Sequence, residues 1–203
     1  MLRASGLPVA PAVKVKSVDQ AIDASRFTGY PLVIKVSGVA HKTEQGGVVL
    51  DVKTEAALHD HCDSLFDKSD ELLIEPYFQK AVAELLVGIV REPDGLFKLT
   101  VGAGGVLAEL LRDTVTMLLP LTEEMLRQKL AELRIASVLN GYRGQSGADM
   151  QSVTQSILQL CQWVEANRND IAEVEINPLL CLANKTMVVD ALITASESLS
   201  EKL

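Results

Sequence analysis

The sequence predicts an α/β protein made of two small lobes, an expectation that rests on three features of its patterning. Short apolar runs alternate with stretches of helical periodicity as far as Glu75. From Ala83 the chain changes to strand-like runs joined by turn residues, then to helices, and it returns to strands near Val174. No repeat, low-complexity tract or long linker separates these stretches, so they are expected to pack directly, as residues 1–75 and 76–203, and to leave a cleft of the kind in which ligands sit.

The elements follow in order. Ser17 with Gln20 fits a capping box that opens a helix whose apolar face includes Val18, Ala21 and Ile22. Residues 32–36 are mostly apolar, as in a strand covered on both faces, and 48–52 and 72–74 read as further strands. After Thr54, the residues Leu58, Cys62, Leu65 and Phe66 recur at helical spacing. Residues 85–90 and 96–101 form two strand-like runs around Arg91-Glu92-Pro93-Asp94-Gly95, which has the composition of a hairpin turn. Thr122, Glu123 and Glu124 open a helix carrying Leu126, Leu130 and Leu133, and a longer helix carries Val153, Ile157, Cys161 and Val164. Strands return around 174–176, 179–182 and 187–189.

Composition narrows the function classes. Hydrophobic residues at 48% and interspersed charges at 23% describe a globular chain rather than a disordered one. A net charge of -8 repels nucleic acid and anionic lipid at long range, and no basic patch offsets it, so neither is an expected partner. No apolar run has the length of a membrane span and no secretory pattern opens the chain, which makes a cytoplasmic location the expectation. Cys62, Cys161 and Cys181 are odd in number and widely spaced, which argues for reduced, buried thiols rather than a disulfide or zinc framework.

Two distant segments carry the chemistry. Lys35 interrupts an apolar strand, where its ammonium requires an anion, a carboxylate or an escape to water; a phosphate would serve. His41 lies in a polar, glycine-rich stretch and is either an exposed loop residue or a phosphoryl acceptor, with Lys42 beside it to neutralise a transferred group. Gly46 and Gly47 would let backbone N–H groups approach phosphate oxygens, or simply shape a hairpin. Gly102-Ala103-Gly104-Gly105 follows a strand but lacks the third glycine of a dinucleotide fingerprint, and reads as a tight turn. Glu75-Pro76-Tyr77 ends a strand at the lobe junction, where its backbone has a donor and an acceptor for an adenine edge, and Glu84 is placed to accept from ribose hydroxyls; both glutamates also fit as surface carboxylates. Glu175 and Asn177 share a face at a period of two, with Asp190 ending the neighbouring strand, so the three suit Mg²⁺ or form an Asn-Pro turn with charged flanks. His59 and His61, two apart on a helix, do not share a face.

Taken together these segments resemble the ATP-grasp domain of the ADP-forming acyl-CoA synthetases, or acetate–CoA ligases, and more distantly the β subunit of succinyl-CoA synthetase. The resemblance is carried by the lysine strand, the His-Lys-Thr-Glu-x-Gly-Gly stretch from His41 to Gly47, Ile74-Glu75-Pro76, Glu84-Leu85-Leu86-Val87-Gly88, the glycine turn, Gly141-Tyr142-Arg143-Gly144 with Asp149, and Glu175-Ile176-Asn177-Pro178-Leu179. It implies an ATP-grasp fold of two lobes clasping ATP or ADP, with Lys35 on the phosphates, 75–77 around adenine, Glu84 near ribose, and Asn177 and Asp190 on Mg²⁺. It also implies that His41 relays a phosphoryl group to a histidine on a separate CoA-ligase domain. The CoA-binding and CoA-ligase domains are absent from this chain, so CoA and the carboxylic acid are expected on an α subunit or on fused domains. Two departures stand out: the stretch from Lys35 to His41 is short, and Met117 stands where the acetate enzymes have an arginine shortly before Pro120. They leave two rival expectations, an ATP-grasp binding module without phosphoryl transfer and a ligase that uses an acyl-phosphate without phosphohistidine.

Overall fold

The computed structural model describes residues 2–38, 46–105 and 112–196. By compactness the chain divides into Ala10–Gln79 and a larger unit of Met1–Val9 with Lys80–Leu203.

The smaller unit contains β1 (Val13–Val15), α1 (Val18–Thr28), β2 (Leu32–Val36), β3 (Val48–Val52), α2 (Glu55–Phe66) and β4 (Leu72–Pro76). Its strands form an antiparallel sheet in the order β1-β4-β2-β3. The capping box at α1 is present in a modified form. Ser17 accepts the Gln20 N–H at 3.3 Å, while the Gln20 side chain reaches back to the N–H of Lys16, one residue further out than the usual partner. Thr54 caps α2 by accepting the Ala57 N–H at 3.2 Å. The two helices cover one face of the sheet: Leu32, Ile34 and Val36 of β2 join Leu58, Leu72 and Ile74 in a single core. Each such side chain contributes about 1.5–3 kcal/mol through burial. The alternate residues Val33 and Lys35 are also buried, on the opposite face.

The larger unit contains β5 (Ala83–Arg91), β6 (Phe97–Ala103), β7 (Thr114–Leu118), α3 (Glu123–Glu132), α4 (Ala136–Leu139), α5 (Met150–Ala166), β8 (Ile171–Cys181), β9 (Thr186–Val188) and β10 (Ala191–Ala195). Its antiparallel sheet runs β10-β8-β5-β6-β7, with β9 also paired to β8. The expected hairpin turn closes with Glu92 N–H to Leu96 O at 2.8 Å and Gly95 N–H to Glu92 O at 2.9 Å. The described helices pack against one face, where Leu85, Val87, Ile89, Leu99, Val101, Val174 and Ile176 are buried with Leu126, Leu130, Ile157 and Leu160. The two strands read from the sequence on either side of Asn177-Pro178 are one strand, β8. Its register with β5 steps from Leu85↔Leu179 to Val87↔Ile176, which inserts one extra residue on β8 beside Leu86. A bulge of this kind accommodates a proline, because no ladder N–H is required there.

Cys62, Cys161 and Cys181 are buried and free. Burial pushes the first thiol up to about 11 and the other two to about 12, so they stay protonated. Among the described residues no helix is long and apolar enough to cross a membrane.

Candidate functional site

The smaller unit answers the question raised by Lys35 with a carboxylate. The β2–β4 register sets Val33 opposite Glu75 and Lys35 opposite Leu73. From there Lys35 Nζ reaches Glu75 Oε2 at 2.7 Å, with both side chains only 8% exposed. A buried ammonium requires such a partner, and an opposite charge at hydrogen-bond distance supplies it. In the sequence Glu75 is a candidate for its backbone, and the side chain's part is visible only once two strands forty residues apart are in register.

The neighbouring segments are more constrained than the sequence suggests. Gly46 has φ +63, a conformation that favours glycine, and its carbonyl accepts from Lys68 Nζ at 3.0 Å. The Gly47 carbonyl accepts the Val36 N–H at 2.9 Å. The Tyr77 N–H already donates to Pro31 O at 3.0 Å, so that donor is engaged. His41 and Lys42 lie outside the described residues. At the β2–β3 bulge Asp51 holds φ +59, and its Oδ1 is buried without a hydrogen-bond partner while Oδ2 pairs with Lys53 at 2.8 Å.

In the larger unit the opposite face of the sheet carries the other expected residues. Cross-strand pairs place Leu192, Glu175, Gly88, Thr100 and Thr116 in one row of that face, and Thr194, Glu173, Val90, Lys98 and Leu118 in the next. Most of these are polar or small and none is fully buried, in contrast to the apolar face beneath the helices. Lys98 is engaged by Glu92.

Beyond these rows the glycine turn gathers three features that the sequence left apart. The Gly104 N–H donates to Glu84 O at 2.8 Å, and the Gly105 N–H donates to Asn177 Oδ1 at 3.0 Å. Gly105 has φ +62 and lies directly against the Glu84 carboxylate. Asn177 is fixed from its other side as well, its N–H donating to Asp190 O at 3.2 Å. Burial pushes the Glu84 carboxyl above its ordinary value. A ligand that brings donors or positive charge to this corner would favour its ionised form.

Glu175, Asn177 and Asp190 are therefore neighbours on β8 and its flank, but among the described residues no three His, Cys, Asp or Glu side chains cluster in a way that would hold a metal. The donors fit a hard cation in kind, since an amide oxygen and carboxylates are Mg²⁺ ligands and Mg²⁺ retains several waters. His59 is engaged with Asp63 at 3.2 Å on the surface of α2. Met117, where the resemblance sets an arginine, pairs with Leu99 and is buried in the core under the helices. In this chain that position faces away from the polar side of the sheet.

The two antiparallel sheets, the lysine strand and the glycine-bounded polar face are those of an ATP-grasp protein. The family model described as "ATP-grasp domain" matches residues 1–195, and the chain belongs to that family. Among its named relatives, it is 31% identical over 201 residues to acetate–CoA ligase [ADP-forming] II of Archaeoglobus fulgidus, covering 97% of this chain and 29% of the ligase. It is 26% identical to the β subunit of acetate–CoA ligase [ADP-forming] II of Pyrococcus furiosus, covering 95% of this chain and 87% of the subunit. The chain thus spans under a third of the longer ligase and most of the separate subunit. A solved acetyl-coenzyme A synthetase 1 from Ca. Korarchaeum cryptofilum, in complex with coenzyme A, Ca-AMPCP and HgCl+, superposes with a TM-score of 0.88 at 25% identity, over 96% of this chain and 89% of that one.

Proposed function

We propose that this chain is the nucleotide-binding, phosphoryl-transferring part of an ADP-forming acyl-CoA synthetase. The observation that carries the reading is the corner where Gly105 meets both Asn177 and Glu84, a built oxygen-rich site on the polar face of the larger sheet. Nearly full-length similarity to a separate β subunit supports the same reading.

In this account Lys35, held by Glu75, neutralises phosphate oxygens, Gly46 and Gly47 border the phosphate stretch, and 75–77 line the base. Glu84 accepts from ribose hydroxyls. Asn177, with Asp190 and Glu175, holds Mg²⁺, which when bound offsets charge on the β- and γ-phosphates. His41, as neutral imidazole, attacks the γ-phosphorus; the new N–P bond forms as the bond to the β,γ-bridging oxygen breaks and ADP leaves with that electron pair. Lys42 offsets the charge of the transferred group. Acyl transfer to CoA requires a CoA-binding and CoA-ligase partner, as an α subunit or as fused domains, which also selects the carboxylic acid. A cytoplasmic setting accords with such a reaction.

Incubation with γ-labelled ATP and Mg²⁺, followed by acid treatment and peptide mapping, tests the relay. Acid-labile label on His41, lost in His41→Asn, is expected. A His41→Asn protein that still supports acyl-CoA formation with the partner would instead identify a ligase working through acyl-phosphate.

A further inference from the structure

We propose that Gly105 is a positioning residue for the divalent cation and for the Glu84 carboxylate, whereas Gly102 and Gly104 of the same run are structural; this deepens the Mg-nucleotide reading above and rests on it. The three glycines differ in what a side chain would meet. A Cβ on Gly102 would strike the carbonyl oxygen of Asp113 and come within 3.2 Å of Thr114 Cα. One on Gly104 would come within 2.5 Å of the Leu85 carbonyl carbon and 2.6 Å of Leu86 N. In both cases the obstacle is the backbone of a neighbouring strand, which cannot yield without opening the sheet.

At Gly105 the nearest atoms belong to the end of the Glu84 side chain, with Cδ at 3.0 Å, and no backbone intervenes. A side chain there would displace the carboxylate and leave the sheet intact. The same residue orients Asn177. Because an N–H donates to the amide at 3.0 Å, the atom facing Gly105 is Oδ1 and the NH₂ group points elsewhere. Only Oδ1 can ligate a hard cation, so the Gly105 N–H, by fixing which end of the amide faces this turn, fixes the side from which the remaining lone pair is available.

The test titrates Mn²⁺, as a paramagnetic stand-in for Mg²⁺, into the 203-residue chain with ADP, reading bound metal by electron paramagnetic resonance and recording thermal midpoints. Gly105→Ala is compared with Gly105→Asn, which tolerates the left-handed conformation and still introduces a Cβ, so a folding failure of the alanine variant does not end the test. Both variants are expected to bind Mn²⁺ at least ~10-fold more weakly, as displacement of an outer-shell partner does, with midpoints within about 4 °C of the parent. Combined with Glu84→Ala, Gly105→Asn should weaken Mn²⁺ no further, because its Cβ acts by displacing that carboxylate. Unchanged Mn²⁺ affinity in either folded variant, or an equal added loss in the Glu84→Ala background, overturns the assignment. A parent chain that binds neither ADP nor Mn²⁺ overturns the nucleotide reading and this assignment with it; a parent that binds both, with variants that bind equally, overturns only the role of Gly105.

Discussion

The smaller unit and the larger one satisfy their functional polar groups by different means. Lys35 and Glu75 are buried together and answer each other charge for charge. On the larger sheet, Asn177 takes a backbone N–H, and burial raises the carboxyl of the half-buried Glu84, which forms no ion pair among the described residues. The first arrangement gives a buried ammonium an opposite charge; the second leaves a carboxylate that burial disfavours. A paired charge costs little until one partner is removed, whereas an unanswered carboxylate lowers stability continuously and is relieved by what binds there.

The largest expected effect comes from splitting the pair. Lys35→Met should lower the unfolding free energy by about 3–5 kcal/mol, because it strands a buried carboxylate, while Lys35→Met combined with Glu75→Leu should recover most of that loss. Urea titration of the three proteins checks this, and a single variant as stable as the parent would mean that water reaches the pair freely. The double variant should nonetheless fail to bind ATP, which calorimetry reads.

Asn177→Ala comes next. It should leave the fold intact and weaken nucleotide binding in the presence of Mg²⁺ by roughly tenfold, about 1.4 kcal/mol, with little change when the metal is chelated. Equal losses with and without metal would move Asn177 from the cation to the nucleotide itself.

Two glutamates sharpen the contrast through pH. Glu71, hydrogen-bonded by Lys14 and Ser37, is held below its ordinary value of 4.5, so its contribution is present above 4.5 and is lost as pH falls through the lowered value. Glu84 is raised by burial, so its favourable contribution is complete below 4.5 and is lost as pH rises through the raised value. Relative to the parent, Glu84→Gln should therefore gain stability as pH rises from 4.5 and Glu71→Gln should gain it as pH falls below 4.5. Denaturation series across the acid range decide the matter; parallel curves for the two variants would erase the distinction. The smallest effect is at Asp51, where glycine relieves a left-handed aspartate and should raise stability by about 0.5–1 kcal/mol, less whatever the exposed Lys53 pair contributes.

Local order was the most legible part of the sequence. β2 and β3 run as the apolar stretches indicated, and Ser17, Thr54 and Thr122 each cap the helix that follows. Capping and periodicity act within a few residues, so their signals survive in the sequence. β1 is illegible because three residues carry no periodicity, β7 because its alternation is built on threonines rather than charges, and β10 because one threonine in five residues makes no alternation. Pro178 concealed the continuity of β8, since the bulge that tolerates it is a property of the paired strand. The candidate residues were legible as types, but their partnerships were not. Glu75 meets Lys35 across 40 positions and Gly105 meets Asn177 across 72, distances that only sheet register closes.

The most direct test of the account is the affinity of the parent chain for ADP, measured by calorimetry with Mg²⁺ and again with the metal chelated. The account predicts binding in both cases, tighter with Mg²⁺, because the asparagine-centred corner of the larger unit would hold the cation that accompanies the nucleotide. No binding under either condition, or binding indifferent to the metal, would contradict it.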